Sequence, residues 1–421
     1  MKAIISKSKL AGRAQAPSSK SYTLRALICA ALADGRSQIK RPLYADDTDA
    51  ARDVLDRIGV KTEVKKTLWG VSGGNFRRPR ADLFCRESAG TLRFMTAVCS
   101  LVPGKCRLTA GPSLARRPVG PLIDALQQIG VSCSSRNGLA PVEVEGGTLG
   151  GGVAELPGDI SSQFVSALLM VAPLAPGGMT IKLTSLPQSK PYILMTIDCM
   201  RSFGIHVGHN LDLTGFTVKP QRYQPSSYTV EGDWSSASYL LALGAVAGAV
   251  DVPNLNPESR QGDKEIWCLL REMGAGAMCT RDSVRVRKSK LRPIYKDLSD
   301  CIDLLPTMAV LAATADGVSR LKGVARARLK ESDRIAAVSE GLARMGIEVK
   351  VEHDSLYVTG GKLKSAVIDP KGDHRIAMAF SIPAMLTERT VIKDAGCVTK
   401  TYPEFWETLK SLGGNVTFDG K

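Results

Sequence analysis

Six helix endings, spaced about seventy residues apart, constrain this chain more than any other feature. In each, a helical stretch closes on leucine or methionine, three more residues follow, and then comes glycine, at Gly59, Gly130, Gly204, Gly274, Gly346 and Gly413. The intervals are 71, 74, 70, 72 and 67 residues. A glycine just past the last periodic residue is the expected left-handed cap, so each marks a helix giving way to a strand. Self-similarity at a fixed period means that one supersecondary unit is used repeatedly. The 421 residues therefore read as six copies of one unit.

A second helix recurs within each copy, at residues 24–33, 92–102, 164–175, 237–249, 304–315 and 376–386. Most of these end near Gly35, Gly104, Gly177, Gly248 and Gly317. Beta-branched runs such as Met179-Thr180-Ile181-Lys182-Leu183-Thr184 follow. The expected unit is helix, strand, helix, strand with further strand material. The expected class is α/β, of the α+β type, in two similar halves of three units each. Lys219 to Ser227, with Pro220 and Pro225, reads as a crossing between the halves, and a cleft between them is the expected site. The expected domains are 14–224, and 1–13 together with 225–421.

No apolar run reaches the length of a membrane span, and the opening residues lack the apolar stretch of a secretory signal. A cytoplasmic location is expected. Ten cysteines without a C-x-x-C pair argue against a structural zinc site or a disulfide framework. The His206 and His209 pair reads as a turn rather than a metal site, and no metal is expected.

The formal net charge of +15 calls for anionic partners. Counting back from the capping glycines, Arg117, Lys190, Lys330 and Lys400 fall 13, 14, 16 and 13 residues earlier. Four copies thus place a cation near a helix start, where the macrodipole already makes a cation unfavourable by ~0.3–1 kcal/mol. Cations at helix N-termini make anion sites, because free N–H groups and side-chain charge converge on one ligand. Gly158-Asp159-Ile160-Ser161-Ser162-Gln163 and Gly232-Asp233-Trp234-Ser235-Ser236-Ala237 are one motif 74 residues apart. The first copy, with its glutamine, reads as ligand-binding, and Asp233 reads as a helix cap.

Seven motifs in register carry a resemblance over essentially the whole chain. They are Ala16-Pro17-Ser18-Ser19-Lys20-Ser21, Arg116-Arg117-Pro118, the segment Gly158–Gln163, Ser189-Lys190-Pro191-Tyr192, Leu329-Lys330-Glu331-Ser332-Asp333-Arg334, Asp373-His374-Arg375 and Lys400-Thr401-Tyr402-Pro403. In these the chain closely resembles the 5-enolpyruvylshikimate-3-phosphate synthase family. The resemblance implies an inside-out α/β barrel in each half. It also implies transfer of the enolpyruvyl group of phosphoenolpyruvate to the 5-hydroxyl of shikimate 3-phosphate, with release of phosphate. No cofactor, nucleic acid or membrane partner is implied, and a monomer is expected.

The resemblance also assigns roles. Lys20, Ser21, Arg25, Ser161, Ser162, Gln163, Ser189, Tyr192, Asp303 and Lys330 match the shikimate 3-phosphate site. Lys20, Ala89, Arg93, Arg117, Gln163, Glu331, Arg334, Arg375 and Lys400 match the phosphoenolpyruvate site, where guanidinium forks suit carboxylate and phosphate. Asp303 is implied as principal base, Glu331 as the group that protonates and deprotonates carbon, and Lys20 as sharing proton transfer. Taken alone, Lys330, Glu331 and Arg334 could be an ordinary ion-pair cluster on a helix, and Asp303 could be an N-cap.

Glu87-Ser88-Ala89-Gly90-Thr91-Leu92-Arg93 aligns without a gap to the family's Asn-Ala-Gly-Thr-x-x-Arg, which places Ala89 where many members have glycine. Reduced glyphosate sensitivity is the implied consequence. Arg326 stands where some members carry asparagine. The sister family acting on UDP-N-acetylglucosamine carries a cysteine five residues before its arginine-proline pair, but Pro112 occupies that place here. A nucleic-acid-binding surface would need stacking aromatics among its cations, and aromatics are only 5% of the chain.

Overall fold

A computed structural model describes residues 1–147, 149–281 and 283–420. Among the described residues, twelve α-helices alternate between two kinds. They are α1 (Lys20–Leu32), α2 (Asp46–Arg57), α3 (Ala89–Val98), α4 (Gly120–Gln128), α5 (Ser162–Val171), α6 (Lys190–Ser202), α7 (Trp234–Ala247), α8 (Ile266–Glu272), α9 (Leu305–Ala312), α10 (Arg334–Arg344), α11 (His374–Ala384) and α12 (Phe405–Ser411). The even-numbered helices end on the six repeating glycines, all of which have φ between 81° and 97°. Left-handed backbone of this kind suits glycine because a Cβ there crowds the following carbonyl.

The odd-numbered helices are apolar nearly all round, and their burial follows from that. Every residue of α3, α7 and α11 is buried. The even-numbered helices are amphipathic, as in α10, where Ile335, Val338 and Leu342 are buried and Arg344 is exposed.

The strands form six four-stranded sheets. In one, Leu83–Phe84 runs parallel to Gly104–Thr109, which pairs antiparallel with Leu139–Gly146, itself antiparallel to Ser132–Arg136. The other five repeat this order of one parallel and two antiparallel pairings. Each copy is therefore a βαβαββ unit whose odd-numbered helix is the most deeply buried layer, which is the inside-out arrangement.

Contacts divide the chain into two compact units, Ser18–Val230 and Met1–Pro17 with Glu231–Lys421. These boundaries lie a few residues beyond those expected at 13/14 and 224/225. The reason is strand pairing: Ser227–Thr229 runs parallel to Gly35–Lys40 and completes the sheet of the first copy. Conversely, Lys2–Ser6 pairs with Thr390–Ile392 and Asn415–Asp419, and Leu10–Arg13 runs parallel to Gly248–Pro253. Three strands thus close sheets whose remaining strands lie far away in sequence, which local patterning does not reveal.

Each unit has its own apolar core. All ten cysteines are unpaired, and seven are buried. Among the described residues, no helix is long and apolar enough to cross a membrane.

Candidate active-site residues

In the unit Ser18–Val230, polar groups gather at the starts of the buried helices. Ser19 caps α1 by accepting from the Tyr22 N–H at 3.4 Å, which sets Lys20 and Ser21 as the first two helical residues. The Lys20 ammonium pairs with Asp47 at 3.0 Å. Ser88 caps α3, so Ala89 is its first residue, 5% exposed.

Arg25 lies one turn into α1 and is 2% exposed. Its Nε donates to the Thr196 hydroxyl at 2.7 Å, and its other nitrogens donate to the Ser21 and Tyr192 carbonyls, each at 3.0 Å, and to the Ser166 hydroxyl at 3.4 Å. The Phe94 and Tyr192 rings lie 5.3 and 6.0 Å from the guanidinium carbon. None of these partners is a carboxylate, and burial pulls the guanidinium below its ordinary value. A buried charge ordinarily has a counter-charge. Here the hydrogen-bond partners of the cation are hydroxyls and carbonyls.

Arg93, also buried, donates to Gln163 Oε1 at 2.8 Å, Ser161 Oγ at 3.2 Å and the Pro118 carbonyl at 3.0 Å, with its carbon 4.9 Å from the Phe164 ring. Ser161 is the N-cap of α5 and Ser162 its first residue, so the doubled serine serves both the helix and this cluster. Ser189 caps α6 in left-handed backbone, φ 57° and ψ 42°, and is 3% exposed. Such a conformation costs about 1–3 kcal/mol in a non-glycine residue and gathers at ligand sites. Tyr192, one turn on, is half-buried.

Three of the four cations expected at helix starts lie just before them. Arg117 follows a short 3-10 turn, Leu114–Arg116; Lys330 follows Ala325–Leu329; and Lys400 ends Ala395–Lys400. Lys190 alone begins its helix. The shared feature in three of the copies is a 3-10 turn, and the macrodipole argument applies to Lys190 alone. Glu87 steadies one such turn by accepting from the Ser113 and Leu114 N–H groups at 3.3 and 2.7 Å.

In the other unit, Arg334 is the first residue of α10 and is 1% exposed. Its Nε donates to Asp373 at 2.8 Å, and its terminal nitrogens reach Asp303 at 2.8 Å and Glu331 at 2.7 Å. A solvated helical ion-pair cluster does not bury its arginine in this way, and Lys330 and Glu331 precede the helix rather than lying on it.

Asp303 lies in a 3-10 turn before α9, whose N-cap residue is Leu304. Its carboxylate meets Lys330 at 3.2 Å, Arg334 at 2.8 Å and Arg375 at 2.9 Å. Burial acts to raise its pKa, but the charges of Arg375, Lys330 and Arg334 prevail and hold it well below the ordinary carboxylate range. The Lys330 ammonium is pushed down to about 8, chiefly by burial. Asp373 caps α11 through the Arg375 N–H at 2.9 Å, so one carboxylate fixes both arginines. His374 begins α11 and is fully buried. Asp233 caps α7 through the Ser236 N–H at 2.7 Å, as its motif implied. Lys400 is 8% exposed. Arg326 donates to the Ser299 carbonyl at 2.9 Å.

Sequence reasoning missed the roles of Asp373, Asp47, Glu87 and the Ser166 and Thr196 pair. Asp373 could have been found as an N-cap before an apolar run. The others lie far in sequence from the groups they hold and carry no local signal.

The fold is that of the enolpyruvyl transferases. The chain aligns with the enolpyruvyl transferase NikO of Streptomyces tendae over 99% of its length and 98% of that chain, with a TM-score of 0.79 at 18% identity. An EPSP synthase structure from Acinetobacter baumannii aligns over 99% of this chain and 100% of its own, with a TM-score of 0.84 at 23% identity. More particularly, the EPSP synthase family model, 3-phosphoshikimate 1-carboxyvinyltransferase, matches residues 4–409, and the chain belongs to that family. A 3-phosphoshikimate 1-carboxyvinyltransferase of Dehalococcoides mccartyi is 48% identical over 421 residues, the full length of both chains. That of Methanospirillum hungatei is 40% identical over 413 residues, 95% of this chain and 96% of its own.

Proposed function

We propose that the two clusters serve one reaction, transfer of the enolpyruvyl group from phosphoenolpyruvate to the 5-hydroxyl of shikimate 3-phosphate. Membership of the family supports this reading. The observation that carries the residue roles is the Asp303 carboxylate, met by Lys330, Arg334 and Arg375, with Glu331 on the same arginine. Two carboxylates among several cations suit a reaction in which multiply anionic substrates exchange protons at oxygen and at carbon.

Arg25, with Ser21, Ser161, Ser162, Gln163, Ser189, Tyr192 and Lys330, binds shikimate 3-phosphate in this reading. Lys20, Ala89, Arg93, Arg117, Gln163, Arg334, Arg375 and Lys400 surround phosphoenolpyruvate. The 5-hydroxyl oxygen adds to carbon 2 of phosphoenolpyruvate while Asp303 takes the hydroxyl proton and Glu331 delivers one to the methylene carbon. Elimination then breaks the bond to phosphate as Glu331 recovers a proton from the methyl group, with Lys20 sharing proton transfer.

In the free protein Asp303 is too well stabilised by its three cations to be a strong base. Anionic substrates compete for Arg334, Arg375 and Lys330, and as those cations turn to substrate the carboxylate becomes more basic. A cytoplasmic monomer without cofactor is the working form proposed. Asp303→Asn tests the roles: kcat should fall about 10²–10⁴-fold while shikimate 3-phosphate still binds. Unimpaired turnover by that variant would remove Asp303 from the mechanism.

A further inference from the structure

A cavity of about 550 Å³ lies in the unit containing the N-terminal strands, lined by none of the residues assigned above. Its floor is apolar. Ala11, Ala249 and Leu386 supply its accessible apolar surface, beside the point where α7 gives way to a strand, while Leu10 and Met385 lie fully buried beneath. Its rim carries Lys7, Lys9, Arg287 and Lys288, all exposed.

Two features of the lining bear on what it could hold. First, carbonyls near the ends of α7 and α11 are already satisfied by neighbouring loops. The Ser8 N–H donates to the Met385 carbonyl at 3.1 Å, Lys288 N–H to that of Gly248 at 2.6 Å, and Ser289 N–H to that of Ala245 at 3.0 Å. The floor is therefore left apolar rather than lined with acceptors. Cations near helix C-termini are usually explained by the macrodipole, at ~0.3–1 kcal/mol each. Second, none of the four rim cations is in an ion pair among the described residues.

A concave, mostly apolar cavity of a few hundred Å³ with a few convergent polar groups is the usual form of a small-molecule site. An apolar floor under four uncompensated positive charges selects for an organic anion with an apolar body. We propose that this cavity binds a small amphipathic anion, its carboxylate, sulfonate or phosphate held by Lys9, Arg287 and Lys288 and its apolar part resting on Ala11, Ala249 and Leu386. A fully hydrated inorganic anion would leave the floor unused, and a neutral apolar molecule would leave the cations unused.

The probe is 8-anilino-1-naphthalenesulfonate, titrated into the full-length folded protein and followed by its fluorescence. Two variants test the site. The triple variant Lys9→Gln, Arg287→Gln, Lys288→Gln removes the charge. Ala11→Glu, at an exposed lining position, introduces a carboxylate. Both should keep wild-type thermal unfolding and turnover. Saturable one-to-one binding that weakens at least about tenfold in each variant, with displacement by hexanoate but not by hexylammonium, supports the proposal. Binding unchanged in either variant, or equal displacement by hexylammonium, overturns it.

Discussion

Arg334 and Asp373, both essentially inaccessible to water, meet at 2.8 Å, and the same carboxylate caps the helix that begins just before Arg375. One buried carboxylate thereby holds the Arg334 guanidinium and the backbone that presents Arg375, on two different repeats. Removing either partner strands the other in a low-dielectric environment. Arg334→Ala should cost ~3–5 kcal/mol of stability, because Asp373 loses its nearest counter-charge. Asp373→Asn keeps an oxygen for the cap and should cost less. Urea midpoints would decide this, and an Arg334→Ala protein within 1 kcal/mol of wild type would show that the pair contributes little.

Lys330, held at about 8 by burial, gives a pH signature. Its folded value lies below the ordinary lysine value, so between the two the unfolded chain holds a proton that the folded chain has released. From this group alone, stability rises with pH across that window, while the charge that attracts phosphate disappears. Asp303 contributes a slope of the same sign at low pH. Its folded value lies below the ordinary carboxylate value, so its stabilisation is complete above the ordinary value and lost as pH falls through the folded one. For catalysis, kcat/KM for shikimate 3-phosphate should fall above pH ~8. Lys330→Arg should move that limb to higher pH, and an unmoved limb would assign it to another group.

Arg25 is surrounded by hydroxyls and carbonyls without a carboxylate. Arg25→Met retains much of the apolar stem and removes the charge. Shikimate 3-phosphate should bind at least ~10²-fold more weakly, in line with 2–5 kcal/mol for a buried charge-assisted contact, and KM for phosphoenolpyruvate should change far less. Equal weakening of both substrates would indicate a general packing defect.

Ala89 begins α3, and its methyl group occupies a position that is glycine in many family members. If that methyl crowds analogues longer than phosphoenolpyruvate, Ala89→Gly should lower the inhibition constant for glyphosate by about tenfold or more while KM for phosphoenolpyruvate changes little. Inhibition curves that superimpose before and after the substitution would contradict this. The neighbouring Gly90 is explained by packing, since a Cβ there would lie 3.0 Å from Leu24 Cδ1.

The repeats were legible because each even-numbered helix must end in left-handed backbone, and glycine marks that requirement in the sequence itself. The buried helices were legible because α3, α7 and α11 are apolar on every face. The strand exchanges were not, since Ser227–Thr229 and Leu10–Arg13 pair with strands about two hundred residues away. Among the candidate site residues, the cations and hydroxyls stood out in motifs near helix starts. Their partners did not: Asp47, Glu87, Ser166 and Thr196 reach their targets only through the fold. The 3-10 turns before Arg117, Lys330 and Lys400 were also hidden, because counting back from the capping glycines gives the copy-to-copy position of a residue without its backbone conformation.

The central claim is the identity of the acceptor. Phosphate release from phosphoenolpyruvate, measured with purified protein and either shikimate 3-phosphate or UDP-N-acetylglucosamine, tests it most directly. Stoichiometric release with shikimate 3-phosphate and none with the nucleotide sugar is the expected result. No release with shikimate 3-phosphate, or release with UDP-N-acetylglucosamine instead, would contradict it.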